Sequence, residues 1–118
     1  MMSKRAFISL PTAGRTFPDI LTARNNARET LHRLGYATVD NVDYEILSNK
    51  TKTILANNGI TRPDLYLLAQ GLKEMSRCDA VYFCVGWGSS RECQIEFLVA
   101  QKYGLKRLFE SHQEGESR

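Results

Sequence analysis

The sequence predicts one α/β domain built on a mainly parallel sheet of four or five strands, and three observations carry that expectation. Short β-rich runs alternate with stretches of helical periodicity along the chain, the pattern of strand–helix–strand units. The run Ala80-Val81-Tyr82-Phe83-Cys84-Val85 is almost wholly apolar, as a central strand covered on both faces requires. The length of 118 residues gives room for one such domain, able to fold without disulfides or metal.

Ala6-Phe7-Ile8-Ser9-Leu10 is a β-rich run stopped by Pro11, and Thr12 to Thr16 reads as a loop. Pro18 suits a first helical turn, where its missing N–H costs nothing, and Asp19 complements the positive helix end. Ile20, Ala23, Ala27, Leu31 and Leu34 then recur at helical spacing until Gly35 stops the helix. Tyr36 to Val39 predicts a second strand, and Asn41 to Asn58 a loop with a short helix. Thr61 as cap and Pro63 in the first turn start the next helix. Its apolar stripe is Leu65, Leu68, Leu72 and Met75, ending near Arg77. After the central strand come a glycine-rich turn, a helix from about Ser90 to Tyr103, and a last strand at Arg107-Leu108-Phe109. The domain therefore spans 1–110, with 111–118 a polar tail.

The net charge of +3 fits a small anionic ligand and is too weak and scattered for a nucleic-acid surface. The apolar run after Lys4 and Arg5 is too short for a signal peptide, and no stretch approaches the roughly 18 apolar residues of a membrane span. Three cysteines (Cys78, Cys84, Cys93), without paired spacing, read as reduced thiols of a cytoplasmic protein. His32 and His112 lie far apart, so neither metal nor cofactor is expected.

Parallel sheets bind ligands beyond the carboxyl ends of their strands, where the chain direction switches. The loops after Leu10 and after Val85 sit at that edge. Ser89-Ser90-Arg91-Glu92 reads as a capping box that fixes a helix start, and free amides there bind phosphate or carboxylate. The alternative is that Ser89 does nothing but cap. Gly86 and Gly88 would let a ligand approach the backbone, although GWGSS is neither a Walker loop nor a dinucleotide fingerprint. Glu96 follows Ser89 by seven residues on the same helix face, among Ile95, Phe97, Leu98, Val99 and Ala100. A carboxylate in such company costs energy unless something pairs with it or uses it. A distant Arg or Lys would be a structural partner; beside a sugar, the same group is a nucleophile for the anomeric carbon or stabilises an oxocarbenium-like state.

The run from Ala6 to Arg15 resembles the opening strand and glycine loop of a known group, and the segments Cys78–Tyr82 and Gly86–Glu96 resemble its second signature. The group is DUF4406, common in bacteria and phages, within the nucleoside 2-deoxyribosyltransferase-like superfamily. The resemblance implies a flavodoxin-like or Rossmann-like three-layer sandwich that takes a nucleotide or nucleoside. It places Glu96 as nucleophile and Ser90 at a 5′-phosphate, and leaves Asp79 as either a second catalytic acid or a structural cap at the entry to the central strand. It brings Ser9, Gly14, Arg15, Gly86, Trp87, Gly88 and Ser89 to the substrate, with Arg15 at the phosphate. The implied activity is 2-deoxyribonucleoside 5′-monophosphate N-hydrolysis or deoxyribosyl transfer by a homo-oligomer, with Trp87 and Tyr66 as interface anchors. Two departures stand out. Gly71 replaces an acid that the superfamily carries before the central strand, and Phe7 offers no tyrosine hydroxyl. They leave a non-catalytic nucleotide-binding or sensing module as the alternative.

Overall fold

The computed structural model describes residues 4–39 and 49–110. Its sheet has four strands, all parallel: β1 (Lys4–Ser9), β2 (Tyr36–Val39), β3 (Ala80–Phe83) and β4 (Lys106–Phe109), in the order β2-β1-β3-β4. β3 is hydrogen-bonded on both edges and every one of its residues is buried, which accounts for its uniform apolarity. It stops at Phe83, earlier than the expected Val85. Cys84 still donates to the Ser9 carbonyl at 3.0 Å, but the Val85 amide turns to the Glu110 carboxylate at 2.9 Å.

Four helices complete the described fold: α1 (Phe17–Arg33), α2 (Asn49–Asn57), α3 (Pro63–Met75) and α4 (Arg91–Lys102). Strand alternation sends Ala6, Ile8, Tyr82 and Cys84 to one face, against Ala27 and Leu31 of α1. Phe7, Val81 and Phe83 go to the other, against Met75 of α3 and Ala100 of α4. The result is three layers compatible with a flavodoxin-like fold. Among the described residues no helix is long and apolar enough to cross a membrane.

Several sequence expectations are corrected here. The buried row of α1 is Ile20, Arg24, Ala27 and Leu31, while Leu34 lies past the helix as its exposed C-cap. Helical geometry explains this: residues 20, 27 and 31 facing the sheet force residue 24 onto the same row. The stem of Arg24 is long enough to pack there. In α3 the buried residues are Leu68, Gly71 and Met75, whereas Leu65 is exposed. Thr61 is one residue too early to cap. Arg62 holds that position without a side-chain cap, and Pro63 starts the helix. The expected short helix in the middle of the chain is α2, while residues 40–48 and the tail 111–118 lie outside the described residues.

Candidate functional site

From β1 the chain crosses to β2 over one face of the sheet; from β3 it crosses to β4 over the other. The loops after β1 and β3 therefore part at their carboxyl ends, leaving a crevice. Arg15 bridges the two loops, its Nη2 donating to the Val85 carbonyl at 3.0 Å. Gly86 makes that bridge possible. It has φ of 92°, and a Cβ there would stand 3.1 Å from Arg15 Nη2 and 3.6 Å from Pro11 Cγ. The crevice opens into a cavity of about 460 Å³ whose polar lining is Thr12, Arg15, Asp64, Ser90, Arg91 and Glu92. Phe17, Ile20 and Leu67 supply apolar wall.

α4 begins at this cavity. Ser90, in extended conformation, is its N-cap and accepts from the Cys93 amide at 3.2 Å. The expected Ser89–Glu92 capping box does not form, because Ser89 belongs to a tight 3-10 turn, Trp87–Ser89, and donates its amide to the Gly86 carbonyl. The start shifts by one residue, and the Glu92 carboxylate turns to Arg91 instead, at 2.7 Å. Capped in this way, the helix still directs its first-turn amides and positive dipole end at the cavity.

Glu96 lies six residues beyond Ser90, buried, and its Oε1 accepts from the Ser9 hydroxyl at 2.6 Å. Ser9 is itself fully buried, on the α4 side of β1. Burial pushes the Glu96 carboxyl up to about 7; the Ser9 bond works against that rise, and the Glu92 charge adds to it. Neither Glu96 nor Ser9 lines the cavity, but their chain neighbours do: Leu10 follows Ser9, and Glu92 precedes Glu96 by one helical turn. Cys93 lies between the two serines. Burial pushes its thiol up, while Ser9 and Ser90 favour the thiolate through hydrogen bonding. On the other face, burial and the Glu110 carboxylate push up the Cys84 thiol at the end of β3, while Arg24 and Arg15 work against that rise.

The structure separates the remaining expected site residues into three groups. Ser9, Arg15, Gly86, Ser90 and Glu96 converge on the crevice. Gly14 and Ser89 are exposed beside it, and the Gly88 carbonyl is taken by the Gln94 side-chain amide. Trp87 turns away into an aromatic cluster, its ring 4.9 Å from Phe97, 5.2 Å from Phe83 and 5.6 Å from Phe109. It is half-buried and packs the loop against these rings, away from the crevice and less exposed than an interface anchor was expected to be. Tyr66 is half-buried as well.

Asp79 stands at the opposite end of the sheet. Its Oδ2 accepts from the Arg5 amide at 2.9 Å, its amide donates to the Arg5 carbonyl at 2.8 Å, and its carbonyl accepts from the Lys106 amide at 3.1 Å. It clamps the amino ends of β1, β3 and β4, a structural role that removes it from the catalytic set. Gly71 is buried in α3; of Asp40, Asp43 and Asp64, the acids that could stand in for the missing carboxylate, Asp64 lines the cavity. Asp40 and Asp43 lie outside the described residues.

Thr12, Arg24, Arg91 and Cys93 were not among the residues expected at the site. Only Arg24 left a signal, a charge in step with an apolar helical row. Among the described residues no three His, Cys, Asp or Glu side chains group to hold a metal ion. No family model, curated protein or solved structure matches the chain.

Proposed function

We propose that the cavity binds a nucleoside 5′-monophosphate and that Glu96 cleaves its N-glycosidic bond. The observation that carries this reading is a polar pair, Ser9 and Glu96, buried directly behind an anion-suited helix start. Ser90 and Glu96 are separated by about 9 Å along the helix axis, six residues at 1.5 Å each. That span suits a 5′-phosphate at one end and an anomeric carbon at the other.

In this mechanism the phosphate is held by the first-turn amides of α4, the Ser90 hydroxyl and the Arg15 guanidinium. The ionised Glu96 carboxylate attacks the anomeric carbon, the C–N bond breaks, and the base leaves with the bonding electrons and takes up a proton. Water, or a second base, then resolves the glycosyl ester. Ser9 orients the carboxylate and holds down the share that is protonated.

A second reading, binding without catalysis, is favoured by two observations. Glu96 and Ser9 lie behind the cavity lining, and Gly71 supplies no second acid. Incubation with a panel of nucleoside monophosphates, followed by chromatography for free base, separates the two. Base release that disappears in Glu96→Gln with binding retained supports the enzyme; binding without release supports the module; no binding refutes both. Self-association belongs to the same proposal, with exposed Leu98 and Tyr103 as apolar contacts in place of Trp87. Sedimentation finding only monomer at high micromolar concentration removes that part.

A further inference from the structure

A second cavity, of about 370 Å³, adjoins the first between the start of α3 and the first turns of α4. Asp64, Arg91 and Glu92 line both. The remainder of the second lining is the apolar Pro63, Leu65, Leu68 and Ile95, with Thr61 and Arg62 as its polar members. The residues common to the two spaces are thus three charged side chains tied to one another. Arg91 Nη2 lies 2.7 Å from Glu92 Oε2 and 3.5 Å from Asp64 Oδ2, and Arg91 Nε donates to the same Glu92 oxygen at 3.0 Å.

These side chains are 70%, 64% and 38% exposed for Arg91, Asp64 and Glu92. Ion pairs in such positions contribute little, because water and salt screen them and holding long side chains still costs entropy. Rearranging them is therefore cheap. Charge gives a reason for them to rearrange. The first cavity carries two cations, Arg15 and Arg91, and two carboxylates, Asp64 and Glu92. An entering anion meets a balanced field until Arg91 leaves its carboxylates, and a phosphate offers the guanidinium a two-pronged partner in exchange.

We propose that Asp64, Arg91 and Glu92 form a movable partition inside one bipartite site, whose second half takes the base of the nucleotide held in the first. The inference rests on the nucleotide reading given above. The phosphate draws Arg91 away from Asp64, the partition opens, and the planar base lies against Pro63, Leu65 and Ile95. Taken alone, the second cavity is near the small end of the roughly 300–1,000 Å³ typical of ligand sites. Joined to the first, it matches a ligand with one charged and one apolar end.

Titration calorimetry on the full chain at low ionic strength tests this with three probes: inorganic phosphate, 2-deoxyribose 5-phosphate and nucleoside monophosphates. The base is expected to tighten binding about tenfold over the sugar phosphate, through the apolar surface it covers. Leu65 is 61% exposed, so Leu65→Ser is compatible with the fold. It should remove most of that base-dependent gain and leave sugar-phosphate affinity as it was. Asp64→Asn should raise affinity for inorganic phosphate a few-fold by releasing Arg91, and Arg91→Ala should lower affinity for all three probes roughly tenfold. Nucleotides binding no tighter than the sugar phosphate, or Leu65→Ser weakening both equally, would overturn the second half while the first-cavity reading stands. If none of the three probes binds, both readings fall together.

Discussion

The Ser9 hydroxyl donates to Glu96 Oε1 at 2.6 Å, joining the end of β1 to the second turn of α4 across 87 residues of sequence. Both side chains are buried, and the carboxyl titrates near 7 in consequence. Activity and stability should therefore both change across the neutral range, in ways that can be assigned to this pair.

Base release should rise with pH and level off above about 7, because attack on the anomeric carbon needs the ionised carboxylate. Ser9→Ala removes the hydrogen bond that favours ionisation, so the rising limb should move to higher pH. Glu92→Gln removes a neighbouring negative charge and should move it lower. Rate profiles from pH 5 to pH 9 check this. Profiles that superimpose for all three proteins would remove Glu96 from the chemistry.

Folding stability should respond with the opposite sign. Burial raises the folded pKa of Glu96 from an ordinary 4.5 to about 7, so between those values the folded chain holds a proton that the unfolded chain has lost. Stability then falls as pH rises through this window, by up to roughly 3 kcal/mol. Glu96→Gln keeps an oxygen for Ser9 and abolishes the titration. The Tm of the Gln variant relative to wild type should climb from pH 5 to pH 8. A constant difference across that range contradicts the assignment.

Gly86→Ala should lower stability by about 1–2 kcal/mol, the cost of a side chain in left-handed backbone. The new Cβ also stands 3.1 Å from Arg15 Nη2, which has to move from the Val85 carbonyl. Weaker phosphate binding should accompany the loss of Tm. A variant that melts lower yet binds phosphate normally would show that Arg15 has no part in the site.

All three cysteines are free and buried, with thiols pushed up to about 11 at Cys78 and about 12 at Cys84, and raised at Cys93. Burial is the main cause in each case. Iodoacetamide at pH 8 should leave the native chain unmodified and label three sites after denaturation, as mass spectrometry would count them. Rapid labelling at Cys93 would mean that the α4 face opens readily, and at Cys84 that the α1 face does.

The sequence by itself determined the layers. Alternating strand and helix signals, one run apolar at nearly every position, and turn residues at each junction specify a parallel α/β sheet, because each signal is local and acts through backbone propensity and burial. It also pointed to Glu96, since an acid in an apolar helical stretch is conspicuous whatever the fold. Only the tertiary structure decided what Glu96 touches. Its partner is a serine hydroxyl from β1, where a distant cation was the structural alternative, and nothing in residues 9 and 96 encodes that meeting. The same holds for Asp79 and Trp87. Both lie within motif-like segments, yet strand direction carries Asp79 to the far end of the sheet, and the aromatic cluster with Phe83, Phe97 and Phe109 turns Trp87 from the crevice. Local propensity fixes which residues form an element; which end of it faces the ligand, and which side chains meet there, depends on crossovers and packing between residues far apart in the chain.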